Sequence, residues 1–325
     1  MNDLSLSYQA PVRDVPRLHR RHLSKRATDA IFIIIMLAYP ITQFLVTWIF
    51  VNFDSLAMAF NIENSFDSFT FGFDNFAQIF KDLSSKVPDP NIPWLNAHWI
   101  VIINSLGYCF ITIFISLPLS LLFSYFLRKN MPLANVFRAI FFLPNIIPIV
   151  ALTCAFRMSF EEVGYFYGFL TRLGINIGDY PASQILVYIY CIWAGLGYNI
   201  ILFSGAIGRI PKELFESAEL DHAGYFKEFF HVVIPCIWPT IVTLVVLGMT
   251  HVLTLYMHPY LITNYDSAST YTIALNIFAS AKDDNAFPYQ LHEATAYGLF
   301  FSIIWAPLIL LVRHLLSKKY EGIGY

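Results

Sequence analysis

The sequence has few charged residues, and this shortage is its first informative property. Asp, Glu, Lys and Arg make up 13% of the 325 residues, whereas 57% are hydrophobic and 17% are aromatic. A soluble protein does not need so much apolar side-chain surface to form its core. The composition therefore excludes an ordinary soluble domain and indicates a chain that lies in a lipid bilayer.

Motifs for catalysis and cofactor binding are also missing. The sequence has no Gly-Lys dipeptide, hence no Walker A loop for ATP phosphates, and no HExxH metal motif. Its cysteines occur singly, without a CxxC pair, and we predict that they are buried apolar residues: Cys109, Cys154, Cys191 and Cys236. No nucleic-acid-binding fold accompanies the basic residues. We therefore expect no enzyme, no cofactor or metal site in this chain, and no nucleic-acid partner.

Six apolar segments are long enough to cross a bilayer as helices, which takes about 20 residues. They lie at residues 30–51, 99–127, 139–158, 182–207, 236–262 and 294–316. A cleaved signal peptide is the alternative for the first segment, but its apolar run is too long for one. We predict an all-α membrane protein with a basic N-terminal segment (1–29), a six-span domain (30–316) and a short tail (317–325).

Lysine and arginine are unevenly distributed between the two sides of these spans. Fifteen of the 20 fall on the side of the N terminus, the side that is cytoplasmic under the positive-inside rule. We predict a multi-pass protein of the cell membrane, with both termini and residues 209–235 in the cytoplasm.

Residues 209–235, called the charged loop below, separate the fourth and fifth spans. Pro211 is typical of a first helical position, and an acid and a glycine, Asp221 and Gly224, divide the two apolar stripes that follow. The stripes are Leu214, Phe215 and Ala218, then Phe226, Phe229, Phe230 and Val233. A plain connector needs only a few residues. The pattern predicts two short helices that dock a cytoplasmic partner, and a merely solvated loop is the alternative.

The charged loop resembles the EAA loop of ATP-binding-cassette (ABC) importer permeases. Glu216-Ser217-Ala218 matches the start of that motif, and the closing proline falls on Pro235 at the motif's spacing. Segments that resemble the sugar-importer branch are residues 73–76 (FDNF), 104–105 (NS) and 138–144 (RAIFFLP). The glycine of the family motif falls on His222 here, with Gly224 two places later. Which of the two makes the turn is left open.

The resemblance implies a type I importer architecture with a coupling helix pair between spans 4 and 5. The chain would be one of two permease subunits, similar to the maltose-type first permease, beside a second homologous permease. Two ATPase subunits would bind ATP and Mg²⁺, and an extracellular solute-binding protein would deliver a sugar or oligosaccharide. The residues expected at the ATPase are Glu213, Glu216, Ser217, Ala218, Asp221, His222, Ala223 and Gly224.

Polar residues inside the spans are candidates for the solute pathway. The predicted set is Thr250, His251, Thr254 and His258 in the fifth span with Tyr188, Trp193 and Asn199 in the fourth. Side chains of this kind also bond to their own backbone or to a neighbouring helix, which is the structural alternative. Arg157 and Glu293 lie near outer span ends, where they could pair or line the entrance.

The alternative function is a self-contained secondary transporter or channel, for which the charged loop would be regulatory. Such a protein is expected to show repeated spans and an ion-coupling acid at mid-membrane. Asp and Glu are absent from the centres of the predicted spans, and we find no convincing repeat.

Overall fold

The computed structural model of the chain describes residues 25–63, 68–85, 87–88, 95–129, 131–162, 164–175, 181–263, 270–282 and 287–318. Over these residues the chain is helical, apart from turns and two isolated bridges, Asn61 with Phe71 and Pro88 with Asn96. The all-α prediction is confirmed. Most of the basic N-terminal segment and of the C-terminal tail lies outside the described residues.

The chain divides into two compact units, residues 1–54 and 55–325. The first contains α1 (Lys25–Gln43), a π-helical stretch (Phe44–Phe50) and the start of α2 (Val51–Met58). The elements that follow are α3 (Asp74–Ser84), α4 (Ala97–Ile111), α5 (Leu117–Arg128), α6 (Ala134–Ile146), α7 (Ile149–Met158), α8 (Tyr167–Arg172), α9 (Ala182–Gly208), α10 (Lys212–Leu220), α11 (Tyr225–Glu228), α12 (Ile234–Cys236), α13 (Trp238–Thr254), α14 (Met257–Thr263), α15 (Ile273–Lys282) and α16 (Pro288–Ser317).

Within the described ranges, four helices are long and apolar enough to cross a membrane by themselves. These are Asp29–Met58, Ala97–Arg128, Ala182–Gly208 and Pro288–Ser317. Two further helix pairs pass the same criterion together but are bent, by 101° between α6 and α7 and by 76° between Tyr225–Cys236 and α13. Counting each bent pair as one span brings the total to six.

Proline chemistry accounts for the first bend. Pro148 precedes α7, and Ile147 before it is extended, with φ −77° and ψ 136°. A residue before proline is driven out of the helical region by the proline ring. The segment at residues 139–158, which the sequence pattern presents as continuous, is therefore two helices. The second bend lies at Ile237, two residues after Pro235.

Small and hydroxylated side chains let α5 pack closely on α9. Ser120 and Ser124 are buried, and the Ser124 hydroxyl donates to the Ile200 carbonyl at 3.1 Å. At another position of α9, a Cβ added at Gly197 would lie 2.0 Å from the carbonyl oxygen of Phe141 in α6. Small residues at such crossings allow membrane helices to approach one another. The resulting bundle holds the two ends of the charged loop in place.

At the other end of the bundle, two polar residues hold the chain that leads into α15. Asn104 donates from its side-chain amide to the Tyr271 carbonyl at 3.0 Å, and the Ser105 hydroxyl accepts from the Ile273 amide at 2.8 Å. In α3, the Asn75 amide donates to the carbonyls of Ala59 and Asn61. Asn75, Asn104 and Ser105, all in segments that resemble the family, thus bond to backbone here.

Candidate functional site

The charged loop forms the predicted pair of helices, α10 and α11. Pro211 has φ −54° and ψ 140° and stands just before α10, so it is not the first helical residue that the sequence pattern predicts. α11 continues through a π-helical turn, Phe229–Val233, into α12. The second helix of the pair therefore runs without a gap to the bend at Ile237.

His222 makes the turn between the two helices. Its φ is +49°, in the left-handed region, whereas Gly224 has φ −65° and ψ 163°. The His222 amide donates to the Glu219 carbonyl at 3.0 Å, and the Ala223 amide donates to the Ala218 carbonyl at 2.9 Å. These two bonds form a Schellman motif, in which the left-handed position is usually glycine. The turn therefore stays where the family motif has its glycine.

Replacing His222 by glycine is expected to stabilise the folded chain by about 0.5–1 kcal/mol, because glycine adopts a positive φ without a steric penalty. Gly224→Ala is the matched variant, since its φ is negative and open space surrounds an added Cβ. That variant should not lower the melting temperature of the purified protein in detergent. If Gly224→Ala lowered the melting temperature and His222→Gly did not raise it, the turn would lie at Gly224.

The residues predicted to meet a partner lie mainly on the exposed surface of the loop. Ala218 is buried and Ala223 is half-buried, whereas Glu213, Glu216, Ser217, Asp221, His222 and Gly224 are exposed. Large apolar side chains are exposed beside them: Leu220, Tyr225, Phe226 and Phe230. The loop therefore presents a surface that is both acidic and apolar.

The second apolar stripe does not act as one face, contrary to the sequence pattern. Phe229 and Val233 are buried in a core cluster with residues of α5 and α9, while Phe226 and Phe230 are 69% and 58% exposed. The helix turns Phe229 and Val233 inward and Phe226 and Phe230 outward because the bundle covers only one of its sides.

Glu228 joins this inner side to the end of α5. Its carboxylate is 2% exposed and accepts from the Lys129 ammonium at 2.7 Å and from the Tyr125 hydroxyl at 3.2 Å. The Lys129 side chain is 26% exposed. Sequence reasoning did not assign Glu228 this role, although an acid flanked by Phe226, Phe229 and Phe230 is a usable signal for a buried, paired charge.

Arg128, the neighbour of Lys129, makes a second contact with the loop. Its guanidinium carbon lies 4.1 Å from the centre of the Phe215 ring in α10, a cation–π geometry. The guanidinium also donates to the carbonyl of Ile207 near the end of α9. Both helices of the charged loop are thus attached to α5, α10 through Arg128 and α11 through Glu228.

A cavity of about 590 Å³ lies between α5, α9, α13 and the bend between α6 and α7. His251, His258 and Asn199 of the predicted solute pathway line it. His258 is on α14, beyond the end of α13, so it does not share one helical face with His251 as the spacing suggests. Polar lining residues that the sequence analysis did not select are Tyr108, Thr112, Ser116, Asn145, Tyr190 and Tyr198.

The other predicted pathway residues do not line this cavity. The hydroxyls of Thr250 and Thr254 donate to the carbonyls of Leu247 and Thr250 in their own helix. The ring of Tyr188 packs on Tyr108 with centroids 4.8 Å apart, and Trp193 packs on aromatic neighbours. These four side chains therefore bond to their own helix or pack on neighbouring side chains, which is the alternative to a place in the solute pathway.

Arg157 and Glu293 do not pair with each other. The Arg157 guanidinium lies 3.0 Å from the carboxylate of Glu161, four residues along the chain. Glu293 instead lines a separate polar pocket between α3, α15 and α16.

Bent spans around a cavity with both polar and apolar lining, with a paired helical loop at one end, define a multi-pass membrane transport subunit. The chain belongs to the family described as binding-protein-dependent transport system inner membrane component, whose profile matches residues 116–317. The expected architecture of a type I ABC importer permease is confirmed. As a member of this family, the chain is a permease component of a binding-protein-dependent ABC importer.

Two of the following relatives are named as permeases for saccharides, and the third is named as an inner membrane ABC transporter permease. The arabinooligosaccharides transport system permease protein AraP of Bacillus subtilis is 24% identical over 250 residues, which are 75% of this chain and 76% of that protein. The diacetylchitobiose uptake system permease protein NgcF of Streptomyces coelicolor is 27% identical over 195 residues, 56% of this chain and 54% of that protein. The inner membrane ABC transporter permease protein YcjO of Escherichia coli is 25% identical over 290 residues, which are 86% of this chain and 88% of that protein.

Solved structures support the same fold. A chain of a bacterial ABC transporter that imports the acidic polysaccharide alginate has a TM-score of 0.72 at 20% identity, covering 90% of this chain and 98% of that one. A chain of a bacterial alginate ABC transporter in complex with an alginate pentasaccharide-bound periplasmic protein has a TM-score of 0.74. The match covers 92% of this chain and 99% of that one.

Proposed function

We propose that this chain is one of two permease subunits of a saccharide importer, coupled to an ATP-binding-cassette ATPase through the charged loop. The observation that carries the proposal is the two-sided geometry of the loop. One side exposes Glu216 with neighbouring acidic and apolar groups, and the other is held to α5 by Glu228 and Lys129. A force applied to such a loop is transmitted to the spans through the buried contacts of Glu228 with Lys129 and Tyr125.

The remaining subunits follow from the same assignment. Two ATPase subunits bind ATP and Mg²⁺, so this chain needs no cofactor of its own, and a second homologous permease completes the pathway. The loop and both termini face the cytoplasm, as the lysine and arginine distribution supports. A solute-binding protein docks at the opposite, extracellular end.

The cavity between the bent spans forms this subunit's part of the solute pathway. His251, His258 and Asn199 line it together with aromatic residues such as Tyr190. Saccharides present hydroxyl groups and apolar C–H faces, which amide, imidazole and aromatic groups can bind together. The saccharide relatives named above support this substrate class.

Uptake of radiolabelled arabinotriose and diacetylchitobiose by proteoliposomes that contain the complete importer and its binding protein tests this function. We expect accumulation of at least one saccharide that requires ATP. His251→Leu and His258→Leu should each lower uptake about tenfold, because each removes a hydrogen-bonding group from the cavity. Thr243→Val is the control, since this α13 hydroxyl is exposed and donates to the Pro239 carbonyl at 2.8 Å.

Uptake that depends on an ion gradient and continues without ATP would instead establish the secondary transporter. Normal uptake by both histidine variants would leave the importer assignment standing but would move the pathway away from this cavity.

A further inference from the structure

A second polar pocket, of about 390 Å³, lies at the end of the bundle away from the charged loop. The Trp238 indole, which follows the loop, donates to the Leu316 carbonyl at the C-terminal end of α16. The pocket lies near the start of the same helix, at Glu293 and Tyr297. Nineteen residues of helix separate Tyr297 from Leu316, which is a distance of about 28 Å.

The lining of this outer pocket combines carboxylates and amides with one histidine, His98, and includes no lysine or arginine among the described residues. The acids are Asp82 and Glu293, and the amides are Asn75, Gln78, Asn276 and Gln290. Several are already oriented by protein contacts. The Gln78 amide donates to Asp82 at 2.9 Å, and the Gln290 oxygen accepts from the Phe287 amide at 2.9 Å.

Tyr297 provides an independent indication that the pocket takes a ligand. The residue is 7% exposed and lines the pocket, and its hydroxyl has no hydrogen-bond partner within the part of the chain that the structure describes. Buried polar groups in native proteins are almost always hydrogen-bonded, so an unpaired hydroxyl in a pocket requires an explanation. A bound polar molecule would supply the missing partner.

The chemistry of the lining selects among possible ligands. The described residues contain no group of three or more His, Cys, Asp or Glu side chains that could hold a metal ion. An anion would meet two carboxylates, with one histidine, His98, and no lysine or arginine beside them among the described lining residues. An uncharged polyhydroxy compound uses carboxylate acceptors, amide groups and the tyrosine hydroxyl together. The volume also falls in the range of about 300–1,000 Å³ that small-molecule sites occupy.

We propose that the outer pocket binds an uncharged saccharide unit and disfavours uronates. This site would contact the solute before it reaches the cavity of His251 and His258, and it sets the importer apart from one that carries an acidic polysaccharide. The inference rests on the proposed function for the substrate class.

Saturation-transfer NMR on the full chain in lipid nanodiscs tests this site, with arabinotriose, diacetylchitobiose and an alginate trisaccharide as probes. We expect transfer to at least one neutral probe and none to the alginate trisaccharide. Tyr297→Phe should weaken neutral binding about three- to tenfold, because one hydrogen bond is lost. Its melting temperature should not fall, since the variant removes an unpaired buried hydroxyl. Glu293→Gln should allow the alginate trisaccharide to bind measurably.

Tyr289→Phe is the matched control, because Tyr289 is exposed on the same helix and does not line the pocket. Unchanged neutral binding by Tyr297→Phe, or equal binding of the alginate trisaccharide by the wild-type chain, would overturn the proposal. If proteoliposomes accumulate a neutral saccharide while Tyr297→Phe binds normally, only the outer site fails. If no saccharide accumulates, the proposed function fails.

Discussion

Replacing Glu216 by lysine is expected to abolish transport while the chain still inserts into the membrane. Glu216 is exposed on α10. Changing the negative charge of Glu216 to a positive one should therefore leave folding intact. The new lysine would face the ATPase surface without a negative partner, or against another positive charge. A like-charge contact at an interface costs several kcal/mol, enough to detach the partner. Solute uptake and co-purification of the ATPase measure the two effects.

Glu162→Lys is the control for this experiment. Glu162 is also exposed, but it lies after α7, in the segment that leads to α9 at the end away from the charged loop. It should retain both uptake and ATPase association. Undiminished uptake together with a normal amount of bound ATPase in Glu216→Lys would refute the assignment of the charged loop as the docking site.

Replacing Glu228 by alanine is expected to lower the free energy of unfolding by about 3–5 kcal/mol, the usual cost of breaking a buried ion pair from one side. The variant removes the acceptor for Lys129 and for the Tyr125 hydroxyl, whose ring packs against Phe229. The loop would lose its attachment to α5. A lower melting temperature and ATP hydrolysis without uptake are the two expected results.

Glu228→Gln separates the charge from the hydrogen bonds, since an amide oxygen still accepts from Lys129 and Tyr125. Glu228→Gln should lower the free energy of unfolding less than Glu228→Ala does. The double variant Glu228→Leu with Lys129→Met should recover part of the stability, because no charge is then left unpaired. Strictly additive losses in this double-mutant cycle would show that the two residues do not interact in the folded protein.

Local patterns were sufficient to predict much of the fold. Apolar runs of spanning length predict helices because every backbone group in a bilayer must be hydrogen-bonded within its own segment. The two helices of the charged loop followed from Pro211, from the acid and glycine at Asp221 and Gly224, and from the apolar spacing between them. Of the residues predicted for the solute pathway, His251, His258 and Asn199 line one cavity. Their selection needed only the rule that polar residues in spans are costly.

Other features depended on contacts between distant parts of the chain. The bend of 101° at Pro148 brings Asn145 to the cavity, and no spacing within one helix indicates its direction. The exposure of Phe226 and Phe230 against the burial of Phe229 depends on which side of the loop the bundle covers.

The charged loop shows the same division most clearly. By itself, the sequence determined that residues 209–235 form a polar, helical element between two spans, because hydrophobic periodicity and capping residues act over a few positions. Only the tertiary structure decided that His222 accepts the left-handed turn and that Glu228 meets Lys129, 99 positions earlier. The reason is physical: the left-handed φ of His222 is compensated by the two backbone bonds of its Schellman motif, and the buried charge of Glu228 is compensated by Lys129 and Tyr125 at the end of α5.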